Sequence, residues 1–298
     1  MQYALLLLAV FAGSTAVIFI KESNVDSAPL AALRLGIAAV LLTPVYLRDK
    51  RRASSGEAWQ AARDAILPGV LLGLHLTTWN LGCRLTLAAN ASLIVNLVPL
   101  MMPLLLAWLA HEPLTRGEKL ATGVAMLGIS LLFVNDFQAS AEHFRGDLIC
   151  FGSMSMLAAY LVLGRRYRAK STVWLYVTPL FLAGGVTSLA NMLILGGSLS
   201  IDWAREAHWI AALVLLPTLL GHTLFNNAMR YFRGQLVALA AMCQFVFATP
   251  MAYLYFGEQP SWTFYPAAGL AVLGGAIAVV AHRTADDKAV KPTAQSKA

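Results

Sequence analysis

Residues 73–103, GLHLTTWNLGCRLTLAANASLIVNLVPLMMP, and 219–250, LLGHTLFNNAMRYFRGQLVALAAMCQFVFATP, share one design of two apolar segments meeting at a tight polar connection. Trp79-Asn80 falls on Phe225-Asn226, Arg84 on Arg230, Glu112 on Glu258, Gly123 on Gly269 and Gly128 on Gly274, all at one offset of 146 and without a gap. A repeat of this length means that whatever the first half folds into, the second half folds into again.

The medium is set by composition. Apolar residues fill 58% of the 298 positions and charged residues 12%, against roughly 45–50% and about 25% in soluble domains. Ten stretches approach the ~20 residues that cross ~30 Å of hydrocarbon: about 3–20, 28–47, 65–83, 88–110, 118–134, 146–164, 173–196, 207–229, 234–256 and 262–281. The expected fold class is all-α integral membrane, ten transmembrane helices arranged as repeats 1–135 and 146–282, with a disordered polar tail at 283–298. The first span belongs to the mature chain, because no basic residue precedes its apolar run and nine more spans follow. Each repeat holds five spans, an odd number, so the two repeats run through the membrane in opposite directions. Inverted repeats are a recurring basis for transport, since exchanging the conformations of the halves turns an inward-open state into an outward-open one. With the N-terminus cytoplasmic, loops on that side hold 17 Lys and Arg against 4 opposite, and Arg34 inside span 2 completes the 22. The positive-inside rule then puts both termini of this multi-pass chain in the cytoplasm.

Several function classes lack the residues they need. The net charge of +7 is scattered over short loops and forms no stripe for nucleic acid. Cys83, Cys150 and Cys243 have no metal-ligand spacing and read as packing residues, so neither metal nor cofactor is expected. All fifteen Asp and Glu fall in loops, at helix ends or in the tail. Proton-coupled export of lipophilic cations therefore lacks a mid-membrane carboxylate, and a neutral, zwitterionic or anionic cargo fits better. An integral-membrane enzyme needs clustered acids or a histidine set at a membrane face, and neither is present.

At ~1.5 Å per residue the midplane falls near the tenth to twelfth residue of each span. That layer contains Ser14, His75, Asn96, Pro99, His222, Gln244 and Phe247, with Thr78 close by; Trp79, Met101, Tyr160 and Phe225 either add an aromatic and thioether wall or serve as core packing or lipid-facing residues. A polar group at this depth must be bonded, either to another helix or in a watery substrate cavity, and both alternatives stand for each single residue. His75 is favoured as a substrate contact because Trp79 lies one turn on; His222, at an offset of 147, is one residue out of register with it. Pro99, Pro103 and Pro250 leave the carbonyls of Val95, Pro99 and Val246 without donors, free to receive an ammonium group or merely to kink the helix. A phosphorylated cargo needs a basic residue in this layer; only Arg34 comes near, and its place early in span 2 puts it towards the outer surface. Spans 5 and 10, TGVAMLGISLLFV and AAGLAVLGGAIAVV, are small-residue helices suited to a scaffold or to a homodimer interface.

The AGSTAVIFIK segment followed by PLAALRLGIAAVLL, and the endings HEPLTRGEKLATGVAMLGISLLFV and GEQPSWTFYPAAGLAVLGGAIAVV, resemble the drug/metabolite transporter superfamily, EamA type, over nearly the whole chain. The chain is similar in particular to the YddG-type aromatic amino-acid exporters. That resemblance implies a basket-like bundle whose cavity is lined by spans 1, 3, 4, 6, 8 and 9, and export of small-molecule substrates, amino acids foremost, by alternating access. Another metabolite, a nucleoside or a neutral drug is the alternative cargo. Many relatives have Trp before the Ser of span 1, whereas Gly13 precedes Ser14 here. Loss of that wall implies a roomier site, open to threonine or methionine as well as aromatic amino acids.

Overall fold

The protein is described by a computed structural model for residues 2–110, 116–167, 172–195, 197–232, 237 and 240–290. Glu112, Arg168, Lys170, Arg233 and the last eight residues of the tail lie outside these. Among the described residues the chain is helical, with no strand. Six helices are long and apolar enough to cross a membrane, and four shorter apolar helices accompany them. In hydrocarbon this is what the backbone requires, since only a helix or a closed barrel satisfies every peptide group internally.

Besides the last helix, five run without a break: α3 (Ser27–Arg52), α4 (Ser55–Leu85), α7 (Arg116–Ala139), α8 (Ala141–Tyr167) and α9 (Val173–Ile194). The N-termini of α4 and α9 are capped by side chains, Ser54 accepting from the Glu57 amide and Thr172 from the Leu175 amide. Pro44, Pro68 and Pro179 sit inside these helices without dividing them. The last helix, Phe264–Val290, runs on through the first residues of the stretch expected as a disordered tail.

The remaining spans are interrupted. Span 1 is divided at Thr15 into α1 (Gln2–Ser14) and α2 (Ala16–Glu22). Ser14 Oγ donates to the Phe11 carbonyl and Thr15 Oγ1 to the Ala12 carbonyl, bonds that compete with the helical ladder. Span 4 is divided at Asn96-Leu97 into α5 (Ala88–Val95) and α6 (Val98–Ala110). There the Leu97 amide turns back to Ile94 and the Leu100 amide to Leu97. In the second repeat the Cys243 amide turns back to Ala240 and the Val246 amide to Cys243, the same break at the same offset of 146. Pro99 supplies a reason in the first repeat, but its counterpart is Phe245, so the second break needs no proline. Span 8 passes from α10 (Trp203–Leu213) through a π-helical stretch, Val214–His222, into α11 (Thr223–Tyr231). The Pro217 ring cannot donate to a regular α ladder, and Thr218 Oγ1 donates to the Leu213 carbonyl five residues back. Gln244–Phe256 forms α12 and Phe264–Val290 forms α13.

Helices α7 and α13 pack on each other through their small residues. A Cβ added to Gly128 would lie 2.8 Å from the Ala267 carbonyl oxygen, and one added to Gly274 would lie 2.8 Å from the Ala121 carbonyl oxygen. Gly128 and Gly274, like Ala121 and Ala267, are repeat mates, so the contact is reciprocal. The small-residue faces expected as scaffold or homodimer surface thus meet within the chain.

Because backbone oxygen is what the added methyl meets, the helices have to part to accept it. Gly128→Ala and Gly274→Ala should each lower unfolding stability in detergent by about 1–3 kcal/mol. Gly123→Ala and Gly269→Ala, with nothing within 4 Å of the added atom, should be neutral or slightly stabilising. Thermal melts of the four variants compare the two pairs.

Candidate functional site

The interrupted spans border a cavity of about 70 Å³. That is several-fold smaller than the ~300 to 1,000 Å³ of small-molecule sites, so a ligand larger than a few water molecules requires the helices around it to part. Gly13, Ser14, Ala16 and Val17 come from the break in span 1, and Ser92, Val95, Asn96 and Val98 from the break in span 4. Span 8 contributes Pro217, His222 and Phe225; span 9 contributes Val237, Ala241 and Gln244. The unbroken helices supply His75, Leu76 and Trp79 from α4, and Leu157, Tyr160 and Leu161 from α8. Arg34 from α3 completes the wall. None of these side chains is a carboxylate.

Each polar group is positioned by a specific bond. His75 Nδ1 lies 3.0 Å from the Ser153 carbonyl oxygen and 2.8 Å from Ser153 Oγ, whose hydroxyl also reaches the His75 carbonyl at 2.9 Å. The carbonyl contact calls for a proton on Nδ1, which leaves Nε2 as an acceptor. The Asn96 amide donates to the Ser92 carbonyl, holding the frayed end of α5. Tyr160 stacks edge-on against His222 at 6.5 Å between ring centroids, and its hydroxyl accepts from Asn226 Nδ2 at 2.6 Å. Gln244 lies against Gly13, where an added Cβ would come within 2.6 Å of its Oε1.

Eight of the residues singled out in the sequence therefore stand on this wall: Ser14, His75, Trp79, Asn96, Tyr160, His222, Phe225 and Gln244. Four do not. Thr78 Oγ1 is turned back onto the Leu74 and His75 carbonyls. Pro99 faces a separate small pocket between α6, α7 and α13, and acts on the cavity only through the helix break beside it. Met101 packs into the apolar core, and Phe247 pairs edge-on with the half-exposed Phe11. Proline marks where the ladder fails; the residues before it turn inward. The room left by Gly13 is also not empty, because the Gln244 amide fills it.

Arg34 is the residue that depth reckoning misplaced. Its Cα lies early in α3, but a long side chain can put its charge far from its backbone, and here the guanidinium is on the cavity wall and 1% exposed.

A second polar cluster ties the loops at one end of the bundle. Lys21 at the end of α2 pairs with Glu258 Oε1 at 2.5 Å and donates to the Thr86 carbonyl, while Glu258 Oε2 accepts from the Ala88 amide at the start of α5. Arg84 Nη2 donates to the Ile20 and Ser23 carbonyls. Glu206 accepts from Ser23 Oγ and the Asn24 amide, and Thr86 Oγ1 donates to Asp147. Spans 1, 3, 4, 6 and 8 and the loop after α12 are thereby joined. Sequence offered no sign of this, because the partners are up to 237 residues apart.

Both halves of the chain, residues 1–134 and 144–280, match the model of the EamA-like transporter family. The chain belongs to that family. An Archaeoglobus fulgidus protein named an uncharacterized transporter is 26% identical over 266 residues, covering 88% of this chain and 90% of its own. The uncharacterized transporter YyaM of Bacillus subtilis is 25% identical over 212 residues, 67% of each chain. A solved crystal structure superposes with a TM-score of 0.67 at 21% identity over 95% of this chain and 98% of the other, a likeness of fold. An EamA-family chain with these helices is a multi-pass membrane protein and a transporter.

If Gln244 fills the space over Gly13, a larger residue at 13 drives the amide into the cavity. Gly13→Leu should lower ligand binding about tenfold or more, a loss of ~1.4 kcal/mol, and Gln244→Ala added to it should recover most of the loss. Binding by purified single and double variants tests the pair; independent, additive losses would mean the two side chains do not compete for space.

Proposed function

We propose that the protein exports amino acids, aromatic ones and other small neutral ones, by alternating access across a bacterial inner membrane, with both termini in the cytoplasm. The observation that carries this reading is the cavity. It sits where helices of both repeats are interrupted, it combines flat apolar walls at Trp79, Tyr160 and Phe225 with neutral polar groups at His75, Asn96 and Gln244, and its lining among the described residues includes no carboxylate. Broken helices expose backbone carbonyls and amides to a ligand at mid-membrane depth, which a continuous helix cannot do.

Ten spans in two inverted repeats are supported by six long and four shorter apolar helices, by the two family matches, and by the reciprocal contact of Gly128 and Gly274. A relation that brings a helix face against its own repeat mate is the intramolecular form of an isologous contact. In this topology the Lys21–Glu258 cluster lies at the outer face, and its bonds close that face over the cavity. Opening outward then requires Lys21 to leave Glu258. The amides of Asn96 and Gln244 on the wall also suit a nucleoside, the second reading for the cargo.

Proteoliposomes of purified protein, offered labelled amino acids and nucleosides, test the cargo. The account expects accumulation of at least one aromatic amino acid above empty vesicles; accumulation of a nucleoside with none of any amino acid rejects it. His75→Ala and Trp79→Ala should each cut that flux about tenfold or more with the protein still folded, a cost of ~1.4 kcal/mol or more in the transport step.

The closure has its own readout. In a cysteine-free background carrying Ser92→Cys on the cavity wall, Glu258→Gln should raise labelling by a membrane-impermeant thiol reagent added from outside. Equal labelling with and without Glu258→Gln would show that the ion pair does not hold the outer face shut.

A further inference from the structure

Among the described residues Arg34 is the one permanently charged side chain on the cavity wall, buried to 1% exposure. Its Nε donates to Thr218 Oγ1. That oxygen has its own proton committed to the Leu213 carbonyl, so it can only accept from Arg34. The π-helical stretch of span 8 thus orients the guanidinium by one edge. Nη1 is buried and has no hydrogen-bond partner, and none of the ion pairs among the described residues involves Arg34. A cation withdrawn from water, fixed in direction and left without a counter-charge is costly, and an arriving anion relieves the cost.

The repeat argues against a purely structural role. At the offset of 146, Arg34 corresponds to Leu180 and Thr218 to Leu72, and both leucines are fully buried. The scaffold therefore packs the equivalent place without any polar pair. The polar pair joins the two repeats once, through Arg34 of the first and Thr218 of the second, while the mate pair, Leu72 and Leu180, is apolar, so the site is asymmetric as a receptor for an asymmetric ligand must be.

We propose that Arg34 is the anion receptor of the cavity and binds a carboxylate of the cargo, so that the substrate class is organic acids and zwitterions with one carboxylate and a flat apolar body. A guanidinium fork matches a carboxylate's two oxygens. A single guanidinium, with no lysine or second arginine among the described residues of the wall, balances one negative charge, which favours a carboxylate over a phosphate dianion. Trp79, Tyr160 and Phe225 receive the apolar body, and His75 Nε2, an acceptor, suits an ammonium or hydroxyl on the same ligand. This deepens the transport reading and rests on it.

The test uses full-length protein in nanodiscs and four probes of one ring system: tryptophan, indole-3-propionate, tryptophanamide and tryptamine. Wild type is expected to bind the two carboxylates about 10- to 100-fold more tightly than the amide and the amine, the range of a charge-assisted hydrogen bond. Arg34→Leu, which copies the repeat mate, should abolish that preference, and Arg34→Lys should keep part of it. The wild-type comparison stands even if Arg34→Leu does not fold. Equal binding of carboxylate and amide, tighter binding of tryptamine, no carboxylate bound at all, or an intact preference in folded Arg34→Leu overturns the proposal. Counterflow in proteoliposomes with the same probes and a nucleoside separates the two readings. Movement of tryptamine or the nucleoside without the carboxylates leaves transport standing and Arg34 structural, whereas movement of nothing removes the transport reading too.

Discussion

Polar groups at the depth of a bilayer must be satisfied by protein or face a cavity that admits water or ligand. That single constraint organises this chain. It makes every span a helix, and it makes each interruption of a helix informative. The breaks at Thr15, at Asn96-Leu97, at the π-helical stretch of span 8 and at Cys243 all border one cavity. Helices α7 and α13, which have no such break, pack face to face through glycine and alanine away from it. Interruption and cavity go together because a backbone freed from its ladder needs somewhere to point.

The repeat gives this arrangement its economy. The turned-back amides at Leu97 and Cys243 recur at the same offset although only one has a neighbouring proline. Breaking the helix is thus a property of the packing around these positions, with proline as one means to it. One difference between the halves reaches the cavity: Arg34, bonded to Thr218, stands on its wall, where the mates are Leu180 and Leu72. A symmetric scaffold can carry an asymmetric site, here built from one side chain of each half.

Much of this was legible in the sequence. Composition and span length gave a membrane bundle, the offset of 146 gave two equivalent halves, and counting residues from the span ends brought out His75, Asn96, His222 and Gln244. Depth reckoning works on backbones, and it failed where side chains carry the group elsewhere. Arg34 was set near the surface because its Cα is. Thr78 lies at a suitable depth but spends its hydroxyl on its own helix, and Pro99 exerts its effect on its neighbours. Gly13 invited the idea of an enlarged site, but a residue 231 positions away fills the gap, and no local pattern announces that. The Lys21–Glu258 ion pair was invisible for the same reason, since its partners meet only after the bundle has formed.

The central claim is that one cavity is exposed alternately at the two ends of the bundle. Pulsed electron-resonance distances test it directly, with spin labels at Asn24 and Gln259 at one end and, in a second sample, at Arg52 and Lys119 at the other. The account predicts two distance populations at each end, the longer at one coinciding with the shorter at the other, and a shift in their balance when a transported solute is added. One unchanging distance at each end, with and without solute, would contradict it.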